Sequence, residues 1–219
     1  TGSGKDPHRQ KTLLVVSSYD EGEPWSNSLV SSIVLRMAAI DSVKCEIANL
    51  ENAFVKDSVA LERVGDNVIS QYAAEKPSYV VLVGNFSFNL RDKIKAHWGD
   101  IPMLLITRSL NVGERKDYYA NTTEFVSESY GTPIESIRDH YNLSVIYIPD
   151  LCKETVDLMV RMNPDMTELV FFTTNIFVQR RAATSIEEHL AKNYPQITFK
   201  KVRANAENAP KFHAYMVAR

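Results

Sequence analysis

The chain has 219 residues and a formal net charge of −2, with 44% hydrophobic and 24% charged residues. This composition is typical of a globular protein with one large domain or two small lobes. The near-neutral net charge argues against nucleic-acid binding driven by overall electrostatic attraction. No apolar run reaches the roughly 18 residues of a membrane span.

The first two thirds of the chain alternate strand and helix patterns. Continuous apolar runs predict three buried strands, at residues 12–17, 79–83 and 102–107. Residues 43–49 alternate apolar and polar side chains, which is typical of an edge strand. Helical spacing predicts helices at residues 25–40, 58–75 and 89–97. No period is clear over residues 108–131, which predicts a long loop.

The alternation continues to the end of the chain. Thr132 and Pro133 fit the cap and first position of a helix, and the strand "LSVIYIPD" follows, with Asp150 able to cap the next helix. The remaining elements are predicted as helix, strand, helix, strand and helix, at residues 151–163, 169–174, 176–193, 197–202 and 205–218.

Strands that alternate with helices predict an α/β fold with a doubly wound parallel sheet. In the strand order 2-1-3-4 the second strand lies at an edge, which fits the alternating patterns of residues 43–49 and 197–202. The predicted organisation has three parts: a tail or linker at 1–10, a first α/β lobe at 11–149, and a crossover with a partial, truncated second lobe at 150–219. In a two-strand lobe the apolar strand 169–174 keeps one side unpaired. We expect a homodimer partner, the final helix or residues outside this chain to cover it.

The stretch "KTLLVVSSYDEGEPWSNSLVSSI" carries a family resemblance. A strand ends in Ser18 and Tyr19, an acidic turn with Gly22 follows, and Pro24 and Trp25 open a helix. This pattern resembles the periplasmic-binding-protein-like sensor domains of bacterial histidine kinases, which are related to substrate-binding proteins of ABC importers. Ser17 stands where that family often has histidine. The segment "SVIYIPDLCKETVDLMVRMNPDMTELVFFTTN" resembles the crossover between the lobes of that family.

The resemblance implies a type I periplasmic-binding-protein-like fold and a function. The chain is then expected to be an extracytoplasmic or periplasmic sensor domain in two-component signalling, which binds a small polar molecule between lobes and forms a homodimer. Its membrane anchor and histidine kinase module would lie outside this segment. An alternative is a solute-binding protein of an ABC importer, and a third is an enzyme with a flavodoxin-like fold. Sugars, amino acids, nucleobases and carboxylates all remain possible ligands.

A parallel sheet places the loops after neighbouring strands on one side, where open α/β sheets bind ligands. The side chains expected there are hydrogen-bonding or aromatic groups suited to a polar small molecule. The predicted ligand-binding residues are Ser18, Tyr19, Trp25, Asn85, Phe86, Thr107, Arg108, Asp150 and Asn175. Tyr19 and Trp25 are expected to stack on a ring, and Arg108 to clamp a carboxylate.

Catalytic, cofactor and metal sites are not predicted. The sequence "VGNFSFN" lacks the Gly-x-Ser-x-Gly elbow of α/β hydrolases, and "TGSGK" has no strand before it, as a phosphate loop requires. The five histidines show no metal-ligand spacing. The two distant cysteines, Cys45 and Cys152, form no disulfide framework and do not decide the compartment. We therefore expect no enzymatic turnover from this segment.

Overall fold

The computed structural model of the chain describes residues 10–122, 124, 126–173 and 176–203. The predicted tail at 1–10, apart from its last residue, and the predicted helix at 205–218 lie outside these ranges. The strands are β1 (Lys11–Ser17), β2 (Val43–Asn49), β3 (Tyr79–Val83), β4 (Met103–Thr107), β5 (Asn111–Val112), β6 (Thr132–Pro133), β7 (Leu143–Tyr147), β8 (Glu168–Thr173) and β9 (Thr198–Arg203). The helices are α1 (Pro24–Met37), α2 (Ser58–Gln71), α3 (Arg91–Trp98), α4 (Ile134–Ile137), α5 (Cys152–Met162) and α6 (Phe177–Asn193).

The chain divides into two compact units. Within the described ranges, the first unit contains residues 10–112 and 132–148, and the second contains residues 113–131 and 149–203. Residues 113–131, which the sequence prediction placed in the first lobe, therefore group with the second unit. None of the described helices is both long enough and apolar enough to cross a membrane.

A five-stranded sheet forms the centre of the first unit. Its strand order is β2-β1-β3-β4-β7, and the neighbouring strands run parallel. The buried central strands are those with continuous apolar sequences, and the alternating strand β2 lies at one edge. The order confirms the predicted doubly wound α/β sheet, because only strands covered on both faces need apolar side chains throughout.

Apolar side chains on both faces of this sheet form the core of the first unit. On one face Leu13 and Val15 of β1 pack with Val81 and Val83 of β3 and with Val30 of α1. Leu14 and Val16, which alternate with them along β1, point to the opposite face and are completely buried. Helix α1 begins where the sequence indicates, because the Glu23 carboxylate accepts a hydrogen bond from the backbone N–H of Ser26 at 2.6 Å.

Two local predictions were wrong. Thr132 and Pro133 do not start a helix but form β6, which pairs antiparallel with β5, and helix α4 covers four residues only. Asp150 does not cap α5, whose cap position is Leu151 without a side-chain bond. The Asp150 carboxylate instead accepts a hydrogen bond from the Cys152 thiol at 2.7 Å. Asp150 thus has a side-chain partner other than the helix terminus, while Thr132 takes part in the backbone pairing of β6 with β5.

The second unit contains one parallel strand pair, β8 with β9, joined by α6. Its core contains Val156 of α5, Leu169 of β8, Ile186 and Leu190 of α6, and Ile197. Within the described residues, β9 is the one strand that pairs with β8. What covers the outer side of β8 stays a prediction.

Several side chains of the second unit contact segment 113–131, and Arg180 of α6 is the most buried of those that donate hydrogen bonds to its backbone. Arg180 is 6% exposed, and its guanidinium donates hydrogen bonds to the backbone oxygens of Asp117 and Glu124. The Asp117 carboxylate accepts hydrogen bonds from the Glu114 N–H at 2.6 Å and the Tyr130 hydroxyl at 2.9 Å, which closes the segment on itself. A buried arginine that bonds backbone oxygens fixes the path of the chain.

Replacing Arg180 by methionine is expected to release this segment. Methionine keeps the apolar contacts of the side chain but has no donor for the oxygens of Asp117 and Glu124. We expect the amides of residues 114–122 to exchange about 10-fold faster, since hydrogen bonds to charged groups contribute roughly 1.5–3 kcal/mol. Hydrogen-exchange mass spectrometry measures this directly. Arg181→Met is the matched control, because Arg181 donates to the backbone oxygen of Glu128 instead. Equal exchange in both variants would contradict the assignment.

Candidate functional site

The candidate site lies at the carboxyl edge of the first-unit sheet. Four neighbouring strands end level with one another, because Ser17 is in register with Asn49 and Val83, and Val83 with Ile106. The predicted residues that the structure brings to this edge are Ser18, Tyr19, Trp25, Asn85, Phe86, Thr107 and Arg108. They follow or end β1, β3 and β4, or open α1. The loops that follow these strands lie at the same edge, because the strands of the sheet are parallel.

Ser18 and Phe86 are part of the packed interior of this edge. The Ser18 hydroxyl donates to the backbone oxygen of Val83 at 2.6 Å and accepts from the N–H of Ser87 at 2.9 Å. The side chain of Ser18 is 0% exposed and that of Phe86 is 3% exposed. These residues hold the loops after β1 and β3 together, and they support the site from beneath.

Asn85 and Thr107 form a second internal connection. The Thr107 hydroxyl donates to Asn85 Oδ1 at 2.6 Å, and Asn85 Nδ2 donates to the backbone oxygens of Ser109 at 3.2 Å and Asn111 at 3.4 Å. Asn85 is 1% exposed and Thr107 is 0% exposed. Both amide hydrogens of Asn85 are therefore used within the unit, and the network sets the path of the loop after β4.

Tyr19, Trp25 and Arg108 form a cluster above these residues. The rings of Tyr19 and Trp25 meet edge to face, with centroids 6.0 Å apart and an interplanar angle of 89°. The Arg108 guanidinium lies 5.9 Å from the centre of the Trp25 ring, within the range of a cation–π contact. Trp25 and Arg108 are half-buried, so each presents part of its surface to solvent. We call these three residues the aromatic–arginine cluster.

The electrostatic surroundings of Tyr19 favour its neutral form. Burial is the main cause, and together with the Glu23 carboxylate it raises the pKa of Tyr19 to about 12, against a smaller opposing effect of Arg108. A phenolate that loses its water on burial is disfavoured. The Tyr19 hydroxyl therefore stays protonated at neutral pH and can donate a hydrogen bond.

The raised pKa predicts an alkaline loss of stability. In the unfolded chain the phenol loses its proton near pH 10.0, while in the folded chain Tyr19 keeps its proton to about 12. The unfolded state then binds fewer protons over this interval, so the free energy of unfolding decreases as the pH rises through it. We expect Tyr19→Phe to reduce the decrease, as measured by urea unfolding at several pH values. Tyr147→Phe, at an exposed ring of β7, is the control. A Tyr19→Phe profile parallel to that of the parent would contradict the prediction.

A pocket of about 290 Å³, with a lining that is partly polar and partly formed by Val30 and Ile47, lies at the same edge, between the ends of β1 and β2 and the start of α1. Hydroxyl, amide and carboxylate groups line much of it, from Ser17, Asp20, Glu21, Asn27, Ser31 and Asn49. The Ser17 side chain is 1% exposed and accepts a hydrogen bond from the N–H of Tyr19 at 3.2 Å. This backbone contact connects the wall of the pocket to the aromatic–arginine cluster.

The sequence prediction omitted Asn49, at the end of β2. Asn49 ends β2 and lies across from Ser17, so the rule that selected the ends of β1, β3 and β4 also selects it. Of the other two predicted residues, Asp150 belongs to the second unit and Asn175 is not among the described residues. Within the described ranges, no group of three or more His, Cys, Asp or Glu side chains has an arrangement that could hold a metal ion.

Comparison with known proteins identifies the fold. No protein-family model and no curated protein sequence match the chain. A candidate LacI transcriptional regulator from Bacteroides fragilis superposes with a TM-score of 0.54 at 11% identity, over 95% of this chain and 67% of that one. An ABC domain from Streptococcus pneumoniae in complex with L-Trp gives 0.52 at 13% identity, over 96% of this chain and 63% of that one.

A third similar structure is the periplasmic binding component of an arabinose ABC transporter from Shewanella sp. ANA-3, bound to L-arabinofuranose. Its TM-score is 0.54 at 11% identity, and the match covers 94% of this chain and 60% of that one. The chain thus has the type I periplasmic-binding-protein-like α/β fold, as predicted. It spans about 60% to two thirds of the length of these three chains.

Proposed function

We propose that this chain is a ligand-binding domain that binds a small polar molecule at the carboxyl edge of the first-unit sheet. The observation that carries the proposal is the aromatic–arginine cluster beside a partly polar pocket at that edge. An aromatic face provides apolar contact, while hydroxyl, amide and charged groups fix the orientation of a polar ligand. Solved structures of the same fold, named for complexes with L-arabinofuranose and L-Trp, support this class of function.

The buried network below the cluster supports a pre-formed site. Ser18 and Asn85 hold the loops after β1, β3 and β4 by hydrogen bonds that need no ligand. Binding sites whose supporting shell is already bonded lose less conformational entropy when a ligand arrives. We therefore assign Ser18, Asn85, Phe86, Thr107 and the buried Tyr19 as positioning residues, and the half-buried Trp25 and Arg108 as the direct contacts.

A thermal-shift screen tests this proposal. Sugars, amino acids, nucleobases and carboxylates are added separately to the purified chain, and a bound ligand raises the melting temperature as its concentration rises. We expect at least one class to stabilise the parent, and Trp25→Ala to reduce that stabilisation. Lys56→Ala, at an exposed position of the first unit, serves as the control. A hit that stabilises parent and Trp25→Ala equally would place the ligand elsewhere.

The finer proposal is that the domain senses its ligand for a bacterial histidine kinase. The resemblance of "SSYDEGEPW" to such sensors supports it, and so does the periplasmic origin given for the arabinose-binding structure. The domain would then be extracytoplasmic and homodimeric, in a parent anchored to the membrane outside this segment, and ligand binding would bias the state of the dimer. The longer gene tests this proposal, because a sensor requires a membrane span and a kinase module after the segment.

A solute-binding protein of an ABC importer is the alternative. Two similar structures are named as ABC proteins, which favours it. A gene that ends soon after this segment, beside genes for an importer, would support this alternative against the sensor. In either role we propose that the segment itself performs no catalysis. Robust turnover by the purified chain, abolished by one substitution in the site, would overturn that.

A further inference from the structure

Helix α5 of the second unit presents a second apolar row in addition to the one it buries. Its buried side chain Val156 packs into the core of the unit, with Cys152 and Val160 partly buried beside it. The second row consists of the cap residue Leu151 and of Thr155, Leu158 and Met162. The hydroxyl of Thr155 donates to the backbone oxygen of Leu151 at 2.7 Å, and the other three side chains are apolar. At 100° per residue this row lies about 120° around the helix from Val156. We call these four residues the α5 seam.

The α5 seam is exposed. Leu151 is 57% exposed, Leu158 is 49% exposed and Met162 is 78% exposed, and Met159 beside them is 40% exposed. Single exposed apolar residues are ordinary, but several along one helix face indicate an interaction surface. The described part of the chain therefore leaves an apolar helix face open to a partner.

The spacing of the α5 seam identifies the kind of partner. Its residues are separated by four, three and four positions, which is the spacing of the a and d positions in a coiled coil. Such a row fits the same row of another helix, because the side chains of each helix enter the gaps of the other. A second copy of α5 carries the same row, so the partner can be another copy of this chain.

The charges that flank the α5 seam determine the direction of pairing. Glu154 and Arg161 are seven residues apart on the flank turned away from Val156, and both are exposed. If two copies of α5 pair antiparallel about a two-fold axis near residues 156 and 157, Glu154 of each copy faces Arg161 of the other. In a parallel pair Glu154 would face Met159 instead. Opposite charges thus meet twice in the antiparallel pair and not in the parallel one.

We propose that the chain forms a two-fold homodimer in which the α5 helices pair antiparallel through the α5 seam. Helix α5 has 11 residues and is about 16 Å long, so the contact is shorter than a standard interface. The dimer is therefore expected to be weak in solution and to assemble at micromolar concentrations. If the proposed sensor function is correct, anchoring in a membrane would raise the local concentration and favour this dimer.

Sedimentation equilibrium of the full 219-residue chain, from low to high micromolar concentration, is the first test. We expect a monomer–dimer equilibrium that Leu158→Glu weakens about 30-fold or more, as for a central interface residue. Leu35→Glu, at a leucine of α1 that is 75% exposed, is the control and should dimerise like the parent. A parent that stays monomeric throughout, or a dimer unaffected by Leu158→Glu, would overturn the proposal.

Charge reversal tests the antiparallel arrangement. Glu154→Arg and Arg161→Glu are each expected to weaken the dimer about 5-fold, because each creates two like-charge contacts at the rim. The double variant restores opposite charges and should return to the parent value. Thermal melting of each variant checks that the fold is retained. Two weakened single variants without recovery in the double variant would overturn the antiparallel arrangement. The ligand screen is independent of these results, so either proposal can fail alone.

Discussion

Replacing Gly84 by alanine is expected to lower the free energy of unfolding by about 2–5 kcal/mol, the sum of a backbone and a packing cost. Gly84 has a φ of +85°, which an L side chain rarely adopts, and an added Cβ would lie 2.6 Å from Ser18 Oγ and 3.0 Å from Tyr19 Cε2. The contact with Ser18 cannot relax easily, because its hydroxyl is bonded to the Val83 oxygen at 2.6 Å. Urea unfolding of both proteins measures the difference.

Gly99→Ala separates the two causes of this loss. Gly99 has a similar φ of +80°, but an added Cβ there would meet no atom within 4 Å. With its ψ of −156°, Gly99 lies in a region that is essentially restricted to glycine, so its substitution should cost only the backbone contribution, about 1–3 kcal/mol. If both variants lose the same stability, the loops after β1 and β3 do not pack against Gly84 as closely as the distances to Ser18 and Tyr19 indicate. The ligand-binding edge would then lack the rigid support that we assign to it.

Replacing Arg108 by alanine is expected to cost about 2–5 kcal/mol of affinity for an anionic or carboxylate-bearing ligand found in the screen. Arg108 is the charged member of the aromatic–arginine cluster, and its guanidinium lies 5.9 Å from the centre of the Trp25 ring. A half-buried guanidinium held against an aromatic ring is in place before the ligand binds. Its removal would leave the ligand charge in the site without a partner. Calorimetric titration of parent and variant measures the cost.

Calorimetric titrations of two further variants, Tyr19→Ala and Arg36→Ala, test whether the loss of affinity is specific to the site. Tyr19→Ala should also weaken binding, because Tyr19 supports the Trp25 ring edge to face. Arg36→Ala removes an exposed arginine in the last turn of α1, at the end remote from Trp25, and should bind like the parent. If Arg108→Ala and Tyr19→Ala both retain the parent affinity, the site assignment is wrong and the stretch from Ser17 to Trp25 serves only as a turn.

The sequence by itself determined which strands of the first unit are central and that β2 lies at an edge. A strand covered on both faces must be apolar throughout, and an edge strand alternates, so "LLVV" and "VVLV" lie inside while "VKCEIAN" lies at the edge. Such patterns depend only on the side chains of one element and the burial of that element. The convergence of Tyr19, Asn85 and Arg108 followed from the same order, because parallel strands send their next residues to one edge.

Only the tertiary structure decided what the polar side chains at that edge do. Asn85 and Thr107 have the chemistry of ligand contacts, yet they bond each other across 22 positions, and Asn85 also bonds the backbone oxygens of Ser109 and Asn111. In the same way, Thr132 pairs with Val112 in place of capping a helix. Residues 113–131 group with the second unit, where Arg180, more than fifty positions away from Asp117 and Glu124, bonds the backbone oxygens of these two residues. Periodicity reports whether a side chain is buried, but hydrogen-bond partners are set by which distant groups the folded chain brings within about 3 Å.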